Sequence, residues 1–73
     1  MYRMKLELSA VRGALVRLLG VAERRGFEPT SVVCTTIDAT MRVEMTVNGR
    51  VDVGLLVRQL LKLHDVRTVE VCS

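Results

Sequence analysis

The side chains of this 73-residue chain that could do chemistry are His64, Cys34, Cys72 and the carboxylates Glu7, Glu44 and Glu70. His64 is the only histidine. It closes a helical stretch, where a cation or cap at the negative end of the helix dipole is its ordinary role. Glu7, Glu44 and Glu70 fall at outward positions of alternating segments and read as solvated sheet residues, not as an acid/base pair. Cys34 and Cys72 are too few and too far apart for a disulfide scaffold or a zinc site. With no Cys-x-x-Cys they read as small buried or half-buried residues. Gly13 stands alone and makes no glycine-rich phosphate loop. Such an inventory lacks catalytic equipment and points to a regulatory or binding module.

Those residues must be positioned by a single domain, residues 1–73, because the chain has room for one only. Hydrophobic residues make up 49% of it, too many for a disordered tail. Tyr2 and Phe27 are the only aromatics, so Leu, Val and Met must build the core. A domain this small leaves much of its surface wet, and self-association or a partner is expected. The net charge is +3, but the cations are scattered along the chain apart from the Arg24-Arg25 doublet. That pattern is a mixed solvated surface and not a nucleic-acid footprint. Charges at Arg3, Lys5 and Glu7 interrupt any signal core, and no apolar run approaches the roughly 20 residues that span a bilayer. A cytoplasmic protein without membrane contact is expected.

Hydrophobic rhythm sets the elements. Tyr2, Met4, Leu6 and Leu8 alternate with Arg3, Lys5, Glu7 and Ser9, the pattern of a strand with one dry face. Ser9 can also serve as a helix start. Val11, Ala14, Leu15, Leu18, Leu19 and Ala22 form a helical stripe within about 11–25, ended by Gly26 as a left-handed cap. Gly13 suits backbone access and Gly20 close packing. The β-branched run 30–37 is a second strand, with Pro29 at its start or at a sheet edge. A short turn at 38–40 leads to a third strand in which Met41, Val43, Met45 and Val47 alternate with polar residues. Asn48-Gly49 ends it as a strand-to-helix turn. The second helix runs from Val51 or Asp52 to His64, and 66–72 alternates as a fourth strand.

The order β-α-β-β-α-β specifies an α+β, ferredoxin-like sandwich: a four-stranded antiparallel sheet with two helices on one face. Right-handed crossovers place strands one and three in the centre and strands four and two at the edges. Leu6, Leu8, Val43 and Met45 then face the helices. On the wet face Lys5 and Glu7 meet Glu44 and Arg42. Cys34 and Cys72 lie on opposite edges, about 14 Å apart and beyond disulfide reach. Parity alone leaves open whether Val32 or Val33 points inward. On such a sheet RNA binding wants exposed stacking aromatics, and strand three offers Arg42, Glu44 and Thr46 instead.

Arg24-Arg25-Gly26-Phe27 after an amphipathic helix resembles the first-helix exit of ACT domains. Glu44-Met45-Thr46-Val47 and the string Leu60-x-Lys62-Leu63-x-Asp65-Val66-x-x-Val69 resemble the small regulatory subunits of acetolactate synthase, in their short isozyme II type. The resemblance implies a non-catalytic subunit that binds and activates a large catalytic partner in branched-chain amino-acid biosynthesis. Thiamine diphosphate, Mg and FAD would belong to that partner, with no cofactor and no metal in this chain. It also implies a homodimer joined edge to edge through strand two, with Val32, Val33 and Cys34 at the seam.

In effector-binding members the loop after strand one resembles Asn-x-x-Gly-x-Leu. Here it reads Ala10-Val11-Arg12-Gly13-Ala14-Leu15. The resemblance thus offers Arg12, Gly13, Ala14 and Leu15 as the candidate amino-acid effector site, with Gly13 letting backbone N–H groups approach a carboxylate. Ala10 replaces the Asn, which weighs against feedback by valine. A free-standing ACT-type amino-acid sensor that regulates another protein is the alternative.

Overall fold

Alternation of apolar and polar residues becomes a strand wherever one face can be covered, and four segments of this chain are used that way. The computed structural model describes residues 1–72. Its elements are β1 (Tyr2–Ser9), α1 (Ala14–Arg24), β2 (Phe27–Ile37), β3 (Thr40–Gly49), α2 (Val53–Leu61) and β4 (Val66–Val71). The strands form one antiparallel sheet in the order β2-β3-β1-β4. This is the expected βαββαβ sandwich, with β1 and β3 central.

The dry face is continuous. Met4, Leu6 and Leu8 of β1 lie beside Met45, Val43 and Met41 of β3. Val69 lies across from Leu6 on the other side. Leu18 of α1 and Leu56 and Leu60 of α2 close the core from above, each fully buried. Burying a side chain of this size contributes about 1.5–3 kcal/mol, and these few residues hold most of a small domain's stability. The open face carries the expected charge ladder: Lys5 opposes Glu44 and Glu70, and Glu7 opposes Arg42. The Arg42 Nε reaches Glu7 Oε2 at 3.5 Å.

Several local expectations are corrected. Helix α1 begins at Ala14, not Val11, and Val11 is exposed. Ser9 does not cap it. Its N–H donates to the Asp65 carbonyl at 2.7 Å, and Gly13, at φ 79°, precedes the helix instead. Helix α2 is also shorter than expected, and Asp52 caps it by accepting from the Gly54 N–H at 2.9 Å. Strand β2 starts at Phe27 and not at Thr30, so Pro29 lies within it, at the sheet edge as expected. The ladder tolerates this because β2 is an edge strand and its register shifts between Pro29 and Ser31.

That shift decides the parity left open above. Phe27 and Pro29 pair with Gly49 and Val47 on the helix face. Beyond the bulge, Val32 pairs with Met45 and packs on the core, while Val33 turns to the open face and stays exposed. Phe27 is buried, and its ring leaves no room at Gly49, where a Cβ would sit 2.5 Å from the ring. Gly20 does not serve close packing: a Cβ there would meet only the Arg24 guanidinium. The cysteines are exposed, not buried. Cys72 lies just past β4, its N–H donating to the Arg3 carbonyl at 2.8 Å.

Candidate functional site

The β1–α1 loop is built by the two elements it joins and by two distant segments. Ala10 N–H donates to the Ala39 carbonyl at 2.9 Å, tying the loop's start to the β2–β3 turn. Ser9 ties it to the α2–β4 connection through Asp65. Gly13 then takes a left-handed conformation that other residues adopt only at a cost of roughly 1–2 kcal/mol. Its carbonyl accepts the Arg17 N–H at 3.0 Å and opens the helix. No side chain caps this N-terminus, and no acidic residue stands in the first turn. A helix start of that kind presents donors and positive potential to whatever approaches it.

Of the four loop residues expected at an effector site, the structure divides them two and two. Ala14 is buried and Leu15 packs against the core, so both serve the fold. Arg12 and Gly13 are exposed at the loop surface. Arg17 and Asp65 dominate the same place and were not expected there. Arg17 Nε and one terminal nitrogen both donate to Asp65 Oδ2, the Nε at 2.9 Å. The second contact also counts as the ion pair, with the Asp65 side chain 15% exposed. An Arg17 terminal nitrogen reaches the Arg12 carbonyl at 3.3 Å. The guanidinium lies over Gly13, where a Cβ would be 2.9 Å from it. Both charges are visible in the sequence, but their pairing spans 48 residues and exists only through the fold.

The second candidate region is the free side of β2. Residues 29–37 carry no charge, and β2 is hydrogen-bonded on its β3 side only. Val33 and Ile37 are exposed there. The other edge differs. Strand β4 is six residues long, carries Arg67 and Glu70, and has a register shift opposite Glu7 and Leu8. Charges, prolines and bulges protect an edge from strand addition; β2 has Pro29 and a bulge near its start, but residues 31–37 have neither a charge nor a register shift. Cys34 lies in that stretch. Partial burial pushes its thiol above the ordinary value, which makes it a poor nucleophile at neutral pH.

Other chemistry finds few parts. Among the described residues no His, Cys, Asp and Glu cluster could hold a metal ion, and His64 is exposed. Phe27 is buried and packs edge-on against Tyr2, with ring centroids 6.3 Å apart, so the chain's aromatics sit on the helix side of the sheet. None is offered to a nucleobase on the open face. No helix among the described residues is long and apolar enough to cross a membrane.

Known proteins agree with this architecture. No curated protein sequence matches the chain. Among solved structures it is similar to the ACT domain of GTP pyrophosphokinase from Chlorobium tepidum, with a TM-score of 0.82 at 16% identity, covering 97% of this chain and 95% of that one. It is equally similar in fold to the acetolactate synthase small subunit of Thermotoga maritima, with a TM-score of 0.82 at 19% identity over 96% of this chain and 45% of that one. A formyltetrahydrofolate deformylase from Burkholderia mallei shares the fold over 82% of this chain and 22% of its own, with a TM-score of 0.70 at 16% identity. The family profile of the ACT domain matches residues 11–69, from the β1–α1 loop into β4. With that match over most of its length, on a βαββαβ sheet of the order described, this chain belongs to the ACT domain family, whose members are regulatory rather than catalytic modules.

Proposed function

We propose that this chain is the regulatory subunit of a thiamine-diphosphate-dependent acetolactate synthase, binding and activating its large catalytic subunit. The observation that carries this reading is the absence of a charge from residues 29–37 on an open edge strand, in a domain so small that a partner adds much to its buried surface. A second copy added at β2 would extend the sheet to eight strands and leave the remaining surfaces for the catalytic partner. Val33 and Cys34 would lie at that seam, and Val32 beneath it. The similarity in fold to an acetolactate synthase small subunit, together with the strings at 44–47 and 60–69, supports the choice of partner.

Activation on this reading is a population shift. The chain binds the competent state of the catalytic subunit better than the idle one, and that difference in affinity limits the effect. Thiamine diphosphate, Mg and FAD stay on the partner. Isothermal calorimetry with purified catalytic subunit tests the reading. Saturable binding near one chain per catalytic subunit is expected, and no heat at tens of micromolar contradicts it.

A free-standing amino-acid sensor is the second reading. It is favoured by the uncapped helix start beside Arg12 and Gly13, which suits a carboxylate, and by the equal likeness to the ACT domain of a GTP pyrophosphokinase. Micromolar binding of a branched-chain amino acid to the isolated chain would support it. The Ala10 substitution and the Arg17–Asp65 pair, which already supplies a carboxylate there, argue for the first reading.

A further inference from the structure

Charge is distributed unevenly between the two layers of this domain. The strands carry four cations and four carboxylates, and on the open face these alternate across the sheet. The helices and their flanking loops, residues 10–26 and 50–65, carry Arg12, Arg17, Arg24 and Arg25 on one side and Arg50, Arg58 and Lys62 on the other. Against them stand only Glu23, Asp52 and Asp65. Asp65 is engaged by Arg17 and Asp52 by its cap, so two of the three acids are already committed. The chain's whole positive excess therefore lies on the helix layer.

The same layer exposes apolar side chains that the core does not use. Leu55 and Leu61 of α2 are 48% and 49% exposed, and Val16 of α1 is 74% exposed. At 100° per residue, Leu55, Arg58, Leu61 and Lys62 share the outer side of α2, away from the buried Leu56 and Leu60. An Arg25 to Gln59 hydrogen bond of 3.0 Å links the end of α1 to α2. Antiparallel pairing of two β2 edges requires a two-fold axis normal to the sheet, which puts both copies' helix layers on one side.

We infer that this outer helix face, with Leu55 and Leu61 set among Arg58, Lys62 and their neighbours, is the surface that docks an acidic, apolar-centred patch of the catalytic subunit. The inference rests on the function proposed above and names the surface by which it is exercised. Leucine amid unpaired cations matches a protein interface with a hydrophobic centre and a charged rim. A single-stranded nucleic acid would be met by stacking aromatics beside the cations, and Tyr2 and Phe27 are packed against the core instead. The balanced open sheet face offers no net field to steer a partner.

Surface plasmon resonance with the catalytic subunit over the immobilised full chain tests this. Wild type should bind, and its association rate should fall at least tenfold between about 50 and 300 mM salt as screening shortens the field. Arg58→Glu with Lys62→Glu should lower the low-salt association rate about tenfold or more, and Leu55→Ser should raise dissociation several-fold. Lys5→Glu on the open sheet face should stay within about twofold of wild type. Circular dichroism and melting keep folding in view, since all four positions are solvent-exposed. Unchanged binding by the α2 variants, or loss confined to Lys5→Glu, overturns the docking face while leaving the partner intact. Failure of wild type to bind overturns the proposed function together with this inference. Wild-type retardation of a mixed-sequence RNA or DNA that the α2 variants lose also overturns it, because the face would then be a polyanion site.

Discussion

Gly49 and the Arg17–Asp65 pair are where single residues most constrain this domain. The Phe27 ring occupies the space of a Gly49 side chain, and the Gly26 carbonyl blocks its far side at 3.0 Å. Gly49→Ala is therefore expected to lower stability by about 1–3 kcal/mol, read from urea unfolding, with a mid-transition unchanged from wild type contradicting that packing. The ion pair is different in kind. Half of the Arg17 side chain remains in water, so screening limits its value. A double-mutant cycle of Arg17→Ala and Asp65→Ala should give a coupling of about 0.5–1 kcal/mol that shrinks in 1 M salt. At this scale the sequence was a partial guide. It shows Gly13 at a place needing backbone freedom, and it shows both charges, but not that the chain's path brings them together. The exposure of the cysteines is not legible in the sequence, because a strand residue's burial depends on whether the sheet has a neighbour beside it, and Cys34 and Cys72 both lie at edges.

Among the elements, β1, β3 and both helices were legible because each buries one side, so their periodicity is clean. Strand β2 was legible as a strand over 30–37, but the side each of its residues faces was not, since it carries β-branched residues on both sides and a bulge after Pro29 that reverses its parity. No pattern of period two survives such a shift. Helix α1 contains the reverse case, a glycine that packing does not require. Gly20 sits mid-helix with only a flexible Arg24 side chain above it, so Gly20→Ala should raise stability by up to about 1 kcal/mol, visible as a higher melting temperature. A drop would mean that the helix face needs the glycine. The uncharged edge makes its own prediction. Val33→Lys with Thr35→Lys would place like charges on two meeting β2 strands, and light scattering should report a monomer where the wild type is expected to be a dimer. A variant that stays dimeric would assign the seam elsewhere.

Taken whole, the molecule is a neutral sheet face, a strand edge whose outer half carries no charge, and a basic helix layer around one small core. That division of surfaces is what a regulatory module requires: a way to pair with itself and a separate way to hold a partner. It was legible only in outline, because net charge read along a sequence shows scattered cations, and the fold is what sorts them onto one side. The measurement that bears most directly on this division of labour is turnover of a purified acetolactate synthase catalytic subunit, with its thiamine diphosphate, Mg and FAD, titrated with this chain. Turnover should rise and saturate near one chain per catalytic subunit, and remain raised when valine is added. Turnover that stays flat across the titration would contradict the activating role.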